Sequence, residues 1–94
     1  MANFTHQRKS EKNWDYRLSK KALKNLKKIP FPDQRRIFDV LESMKLEPFS
    51  GDAKPIQGEE NLYRRRIGNY RIYFRPVSEY KILDIPEITR KQSH

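Results

Sequence analysis

The chain has 94 residues, and its 21 Lys and Arg residues outnumber its 12 Asp and Glu residues to give a formal net charge of +9. This length forms one domain with a small core, and a pI near 10 indicates a polyanionic partner: RNA, DNA, an anionic membrane surface or an acidic protein segment. The absence of Cys excludes disulfides and thiol catalysis, and no apolar run is long enough for a membrane span, so we expect a cytoplasmic protein.

The first elements predicted along the chain are an arm, a strand and a helix. Residues Met1–Asn13 are polar and basic, which predicts a flexible N-terminal arm ahead of a single domain over residues 14–94. Trp14–Leu18 alternates large apolar and polar residues, as a short strand does. Ser19 is a good N-cap. The apolar residues that follow Ser19 recur at helical spacing: Ala22, Leu23, Leu26 and Ile29. Pro30 ends this helix.

A second helix is predicted to begin near Pro32, because Pro and an acidic residue are favoured in the first helical turn. Its apolar stripe consists of Ile37, Val40, Leu41 and Met44, and Pro48 stops it. The segment Glu47–Gly58 contains two Pro and two Gly residues, so we expect a long loop.

The apolar period changes to two after Asn61, which predicts strands. Leu62–Ile67 and Tyr70–Pro76 form a hairpin around a tight turn at Gly68 and Asn69, and Tyr80–Ile85 forms a further strand that Pro86 ends. No structure is predicted for the polar tail that follows. The resulting order, β-α-α-β-β-β, is an α+β fold with two N-terminal helices packed on one face of a mainly antiparallel four-stranded sheet.

The hairpin concentrates positive charge on one face, because side chains alternate along a strand. Tyr70, Ile72 and Phe74 face the helices, and the opposite face collects Arg64, Arg66, Arg71, Tyr73 and Arg75. Five Arg and no acidic residue lie between Leu62 and Pro76. Arg binds phosphate bidentately, and an aromatic ring stacks on unpaired bases. This pattern favours phosphate binding over a merely solvated sheet face.

Arg65 alternates onto the helix side, so it either extends past the edge of the helices or pairs with an acidic residue there. No metal or other cofactor is indicated, because the chain has two His residues near its ends and lacks carboxylates at ligand spacing.

The hairpin sequence YRRRIGNYRIYF, from Tyr63 to Phe74, resembles the signature of the RelE/ParE superfamily of bacterial toxin–antitoxin toxins. The segments LSKKALKNLKKIP, Leu-Glu-Pro and KPIQG fit the same resemblance, which extends from Trp14 to Arg90. RelE-like members cut messenger RNA in the ribosomal A site, whereas ParE-like members inhibit DNA gyrase. The resemblance implies a cognate antitoxin, the ribosome and messenger RNA as partners.

The resemblance also implies roles for individual residues. Catalytic roles are implied for Arg64, Arg66, Arg71 and Arg90. The C-terminal tyrosine of several nuclease members has no clear counterpart, and His94 is added as a catalytic candidate because of its imidazole. RNA-binding roles are expected for Arg75, Tyr73 and Lys54. RNA supplies its own 2′-OH nucleophile, so the enzyme needs groups that stabilise the pentacoordinate phosphate, a general base and a general acid. Arg is a poor base, which leaves His94, Glu59, Glu60 and Tyr73 as candidates for proton transfer.

We therefore expect a metal-independent endoribonuclease toxin of the RelE type. The alternatives are a gyrase inhibitor of the ParE type without nuclease activity, and a nucleic-acid-binding domain that does not cleave.

Overall fold

The computed structural model of the protein describes residues 13–91. The predicted arm Met1–Asn13, apart from Asn13, and the candidate His94 lie outside this range. The strands are β1 (Asp15–Leu18), β2 (Ala53–Pro55), β3 (Tyr63–Ile67), β4 (Tyr70–Val77) and β5 (Ile82–Arg90), and the helices are α1 (Lys20–Lys27) and α2 (Phe31–Leu46), both of which lie between β1 and β2.

The two helices begin and end where local chemistry predicts. The Ser19 side chain accepts a hydrogen bond of 3.0 Å from the Ala22 backbone N–H, as an N-cap does. Pro30 precedes α2 and Pro32 occupies its first turn. Each helix buries most of its predicted apolar stripe: Ala22 and Leu26 in α1, and Ile37, Leu41 and Met44 in α2. Leu23 is exposed and Val40 is half-buried, so the prediction that they belong to the buried stripe is wrong for Leu23. Within the described range, neither helix is long and apolar enough to cross a membrane.

The strands form one sheet in the order β1-β5-β4-β3-β2. β1 runs parallel to β5, and the other neighbours are antiparallel. The helices pack on one face, where they enclose a core with the inward side chains of β4 and β5, among them Ile72, Phe74, Leu83 and Ile85. The α+β prediction with both helices on one face is confirmed.

The predicted strand count of four is wrong, because the predicted loop Glu47–Gly58 contains the short strand β2. Lys54 pairs with Arg64 and Pro55 pairs with Tyr63, so β2 adds an edge strand to the hairpin. A three-residue strand that ends in Pro produces no detectable alternation, and Pro is tolerated at a sheet edge because one side of an edge strand has no ladder partner.

The prediction that Pro86 ends the last strand is also wrong, since β5 continues to Arg90. Arg75 pairs with Asp84 and Tyr73 pairs with Glu87, so one residue of β4 lies opposite two residues of β5. This is a β-bulge that contains Pro86. A bulge leaves one residue out of the ladder, so the missing N–H of Pro costs little there. The bulge also reverses the alternation of every residue beyond it in β5.

Candidate nucleic-acid interface

The sheet surface that faces away from the helices collects the basic side chains, and we call it the arginine face. The strand register sets Lys54 beside Arg64 and Arg66 beside Arg71. Inward residues of β4 are buried, whereas the alternate outward residues are half-buried. The arginine face thus brings together all the predicted outward residues of the hairpin with the predicted RNA-binding residue of β2: Lys54, Arg64, Arg66, Arg71, Tyr73 and Arg75.

Acidic residues from outside the hairpin lie at the rim of this face, so the expectation of a cluster without counter-charge is wrong. Asp52 Oδ1 lies 3.5 Å from Arg64 Nη1, and Asp52 Oδ2 lies 3.9 Å from Arg66 Nε. Glu59 Oε1 lies 3.8 Å from Arg75 Nη2. These separations exceed the roughly 2.7–2.9 Å of a charge-assisted hydrogen bond. The pairs of Arg66 and Arg75 are exposed and contribute little. The Arg64 side chain is only 17% exposed, so its pair with Asp52 is the more sheltered one.

Arg71 lies in the row of the arginine face next to the hairpin turn, between Arg66 on β3 and Thr89 on β5. Within residues 13–91, its guanidinium forms no ion pair with a carboxylate, and its buried Nε has no hydrogen-bond acceptor. A buried donor without a partner costs about 1–3 kcal/mol. Arg64 Nη1 is also buried without a hydrogen-bond partner, but Asp52 lies near Arg64. Arg71 is therefore an arginine of this face that a bound anion can neutralise without displacing a carboxylate.

Arg65 has a structural position on the opposite face. Its Nη1 donates a hydrogen bond of 3.0 Å to the Ser50 carbonyl. Its guanidinium lies so close to Gly51 that a Cβ added there would be 2.5 Å from Arg65 Cζ. The prediction that Arg65 pairs with an acidic residue is wrong, because its hydrogen-bond partner is a backbone carbonyl. The contact holds the loop that positions Asp52.

Arg90 is separated from the arginine face. It pairs with Tyr70, whose ring faces the helices, and its Cζ lies 5.5 Å from the centre of that ring. Strict alternation from Asp84 would turn Arg90 outward, and the bulge at Pro86 turns it inward instead. The Tyr70 hydroxyl donates a hydrogen bond of 2.7 Å to Asp33 Oδ2. Burial, and then this bond, raise the pKa of Tyr70 above its ordinary value.

Three polar residues of β5 that the sequence did not single out lie along the arginine face: Asp84, Glu87 and Thr89. Glu87 lies opposite Tyr73, and its Oε2 is 3.4 Å from Lys21 Nζ. The only sequence signal for this part of β5 is the apolar Ile88 between two polar residues. Across residues 13–91, no group of three or more His, Asp or Glu side chains is arranged to hold a metal ion.

Known proteins resemble this chain in sequence and in fold. Residues 16–92 match the family described as the ParE toxin of the type II toxin–antitoxin system parDE. RelE1 of Methanocaldococcus jannaschii is 28% identical over 78 residues, which are 80% of this chain and 87% of that protein.

Two solved structures share the fold. A chain in the RelBE2 toxin–antitoxin complex of Mycobacterium tuberculosis has a TM-score of 0.77 at 21% identity, covering 84% of this chain and 99% of that one. A chain in the RelB–RelE antitoxin–toxin complex of Methanococcus jannaschii has a TM-score of 0.66 at 27% identity, covering 78% of this chain and 87% of that one.

Proposed function

This chain belongs to the ParE toxin family of type II toxin–antitoxin systems, and from that premise we propose that it is a ribosome-dependent endoribonuclease that cuts messenger RNA in the A site and inhibits translation. The observation that supports this proposal is the half-buried Arg71 on the arginine face, opposite Arg66 and without a carboxylate partner in the described range. The arginines are suited to binding a phosphate that carries extra charge in the transition state.

Arg71 and Arg66 are the proposed pair that stabilises the scissile phosphate. They are directly opposite in the β3–β4 register, and cross-strand partners have Cβ atoms about 4.5–5.5 Å apart. Two guanidinium groups at that spacing can donate to different non-bridging oxygens of one phosphate. Arg64, next along β3, is proposed to add a third donor once phosphate replaces Asp52.

Tyr73, Lys54 and Arg75 are the proposed RNA-binding residues around this centre. Tyr73 lies beside Arg64 in the register, and its ring offers a stacking platform for an unpaired base, a contact of about 1–3 kcal/mol. Lys54, in the row of Arg64 and Tyr73, and Arg75, further along β4, both lie on the side of Arg71 away from the hairpin turn. They are therefore proposed to contact phosphates on one side of the scissile one.

Proton transfer is proposed to involve Glu87 and His94. Glu87 is on β5 opposite Tyr73 and two residues from Thr89, the cross-strand partner of Arg71. Its carboxylate can therefore approach a 2′-OH whose phosphate is bound at Arg71, and act as the general base. His94 is retained as the candidate general acid, because an ordinary imidazole pKa is near 6.5. Arg90 is proposed to stabilise the hairpin end through the Tyr70 ring instead of contacting the scissile phosphate.

A cognate antitoxin is the proposed partner of the free toxin. Related chains have been solved in complexes named RelBE2 and RelB–RelE. We expect the antitoxin to place acidic residues over the arginine face and so exclude RNA.

Gyrase inhibition without nuclease activity is the second candidate function. The matching family is described by the name ParE, and Asp52 and Glu59 make the arginine face less uniformly cationic than its own sequence suggests. Inhibition of DNA supercoiling by gyrase, with messenger RNA intact, would establish this alternative.

The deciding experiment adds the purified toxin to a cell-free translation reaction and maps message ends by primer extension. We expect cuts in phase with codons, which disappear in Arg71→Ala and persist in Arg35→Ala. Arg35 is the matched control, because it is an exposed arginine on α2, the helix layer. Intact message with wild-type protein would contradict the nuclease proposal. If the protein binds the message but does not cut it, the result would indicate a nucleic-acid-binding domain.

A further inference from the structure

A cavity of about 370 Å³ lies beside the arginine face, where β1 ends next to the bulge of β5. Leu18 and Pro86 form apolar walls over the buried Ile85, and the charged groups around the cavity are Arg17, Arg75 and Asp84. Arg75 belongs to both the cavity and the arginine face. An RNA strand bound along that face therefore passes the cavity.

Hydrogen bonds from the start of α1 fix the wall of this cavity. The Ser19 N–H donates to the Ile85 carbonyl at 3.1 Å, and Ser19 Oγ donates to the Pro86 carbonyl at 2.8 Å. Both bonded carbonyls belong to the bulge, so the local irregularity of β5 is held in one geometry. A cavity that is formed in advance loses little conformational entropy when it binds a ligand.

The polar groups of the cavity select for hydrogen-bond donors next to acceptors. Arg17 Nε and Nη2 approach the same oxygen of Asp84, Oδ1, at 2.8 and 2.7 Å. The other carboxylate oxygen, Oδ2, is the one that can accept from a ligand, while Arg17 and Arg75 can donate to a neighbouring acceptor. Adenine, cytosine and guanine each present an amino group beside a ring nitrogen or carbonyl acceptor. Uracil also has a donor, its N3–H, but carbonyls flank it on both sides and the carboxylate repels their oxygens, so uracil fits less well than a base with an amino group.

We propose that this cavity is a base pocket that takes one unpaired nucleobase bearing an amino group and discriminates against uracil. The inference rests on the proposed function insofar as the ligand is single-stranded RNA. Arg75 is four residues from Arg71 along β4, or roughly 13 Å, so one strand can present a base to the pocket and a phosphate to Arg71. Asp84 is the residue that determines the base preference.

The test measures binding of short 2′-O-methyl oligomers of cytidine and of uridine, which cannot be cleaved, by fluorescence anisotropy. The two bases differ by an amine or a carbonyl at C4 and are equal in size. We expect the wild-type protein to bind the cytidine oligomer at least about fivefold more tightly, in line with the discrimination of one well-placed base contact. Asp84→Asn should bring the ratio of the two dissociation constants below about twofold, because an amide can donate to uracil O4.

Asp39→Asn is the matched control, since it makes the same charge change on exposed α2, and it should keep the wild-type ratio. Asp84→Glu retains a carboxylate and should keep cytidine preferred. A wild-type ratio near one, or an unchanged ratio in Asp84→Asn, would overturn the proposal. Loss of antitoxin binding in Asp84→Asn with an unchanged ratio would also overturn it and assign the pocket to the antitoxin. The assay involves no cleavage, so its result is independent of whether the nuclease proposal fails.

Discussion

Replacing Gly51 with Ala tests the structural role of Arg65 through two separable costs. Gly51 has a φ of +69°, a left-handed conformation that costs an L-residue roughly 1–2 kcal/mol. The new Cβ would also lie 2.5 Å from Arg65 Cζ, so the guanidinium must move and its bond to the Ser50 carbonyl is lost. A hydrogen bond from a charged donor contributes about 1.5 kcal/mol or more. The sum, about 3 kcal/mol, corresponds to a fall in Tm of roughly 12–24 °C for a domain of this size.

Urea unfolding followed by circular dichroism measures this loss, with Gly58→Ala as the matched control. Gly58 has a φ of +84°, and an added Cβ there meets no atom within 4 Å, so the control has the backbone cost alone. We expect Gly51→Ala to exceed the control by about 1.5 kcal/mol, and to match it in an Arg65→Ala background. Equal costs for Gly51→Ala and Gly58→Ala in the wild-type background would refute the role assigned to Arg65.

Three further predictions concern the bulge, the hairpin end and the RNA surface. Ser19→Ala removes both the helix cap and the bond to the Pro86 carbonyl, and it should lower the free energy of unfolding by about 1–2 kcal/mol in urea; an unchanged midpoint would contradict this. The raised pKa of Tyr70 keeps its phenol protonated in the folded chain when the unfolded chain has lost the proton. The contribution of Tyr70 to the free energy of unfolding should therefore be complete below pH 10 and fall as the pH rises through the higher pKa of the folded chain. Unfolding curves at alkaline pH should lose this decline in Tyr70→Phe. RNA affinity should fall with salt, and Lys54→Ala should reduce the slope of log K against log salt by about one; an unchanged slope would exclude a phosphate contact at Lys54.

The hairpin and its two faces are predictable from sequence, because neighbouring residues in the chain determine them. Tyr70, Ile72 and Phe74 alternate strictly with polar residues, and Gly68 supplies the positive φ of the turn. These features determine the outward direction of Arg71 before any pairing is known.

The bulge and β2 depend on partners distant in sequence, and local patterns do not reveal them. A proline usually ends a strand, but Pro86 lies in the bulge of β5, where it has no partner on β4 and its missing N–H costs little. The side of the sheet on which Arg90 lies follows from that irregularity alone. The charge balance of the arginine face is likewise non-local, because Asp52 and Glu59 come from loops outside the hairpin.

The single-turnover rate of cleavage of ribosome-bound message, compared between Arg71→Ala and Arg35→Ala, measures whether the arginine face is the catalytic surface. We expect the rate to fall on the order of 10²–10³-fold in Arg71→Ala, as for the loss of one donor to a charged transition state, and to change by less than about twofold in Arg35→Ala. Cleavage by Arg71→Ala at the wild-type rate would contradict the account that the arginine face is the catalytic surface.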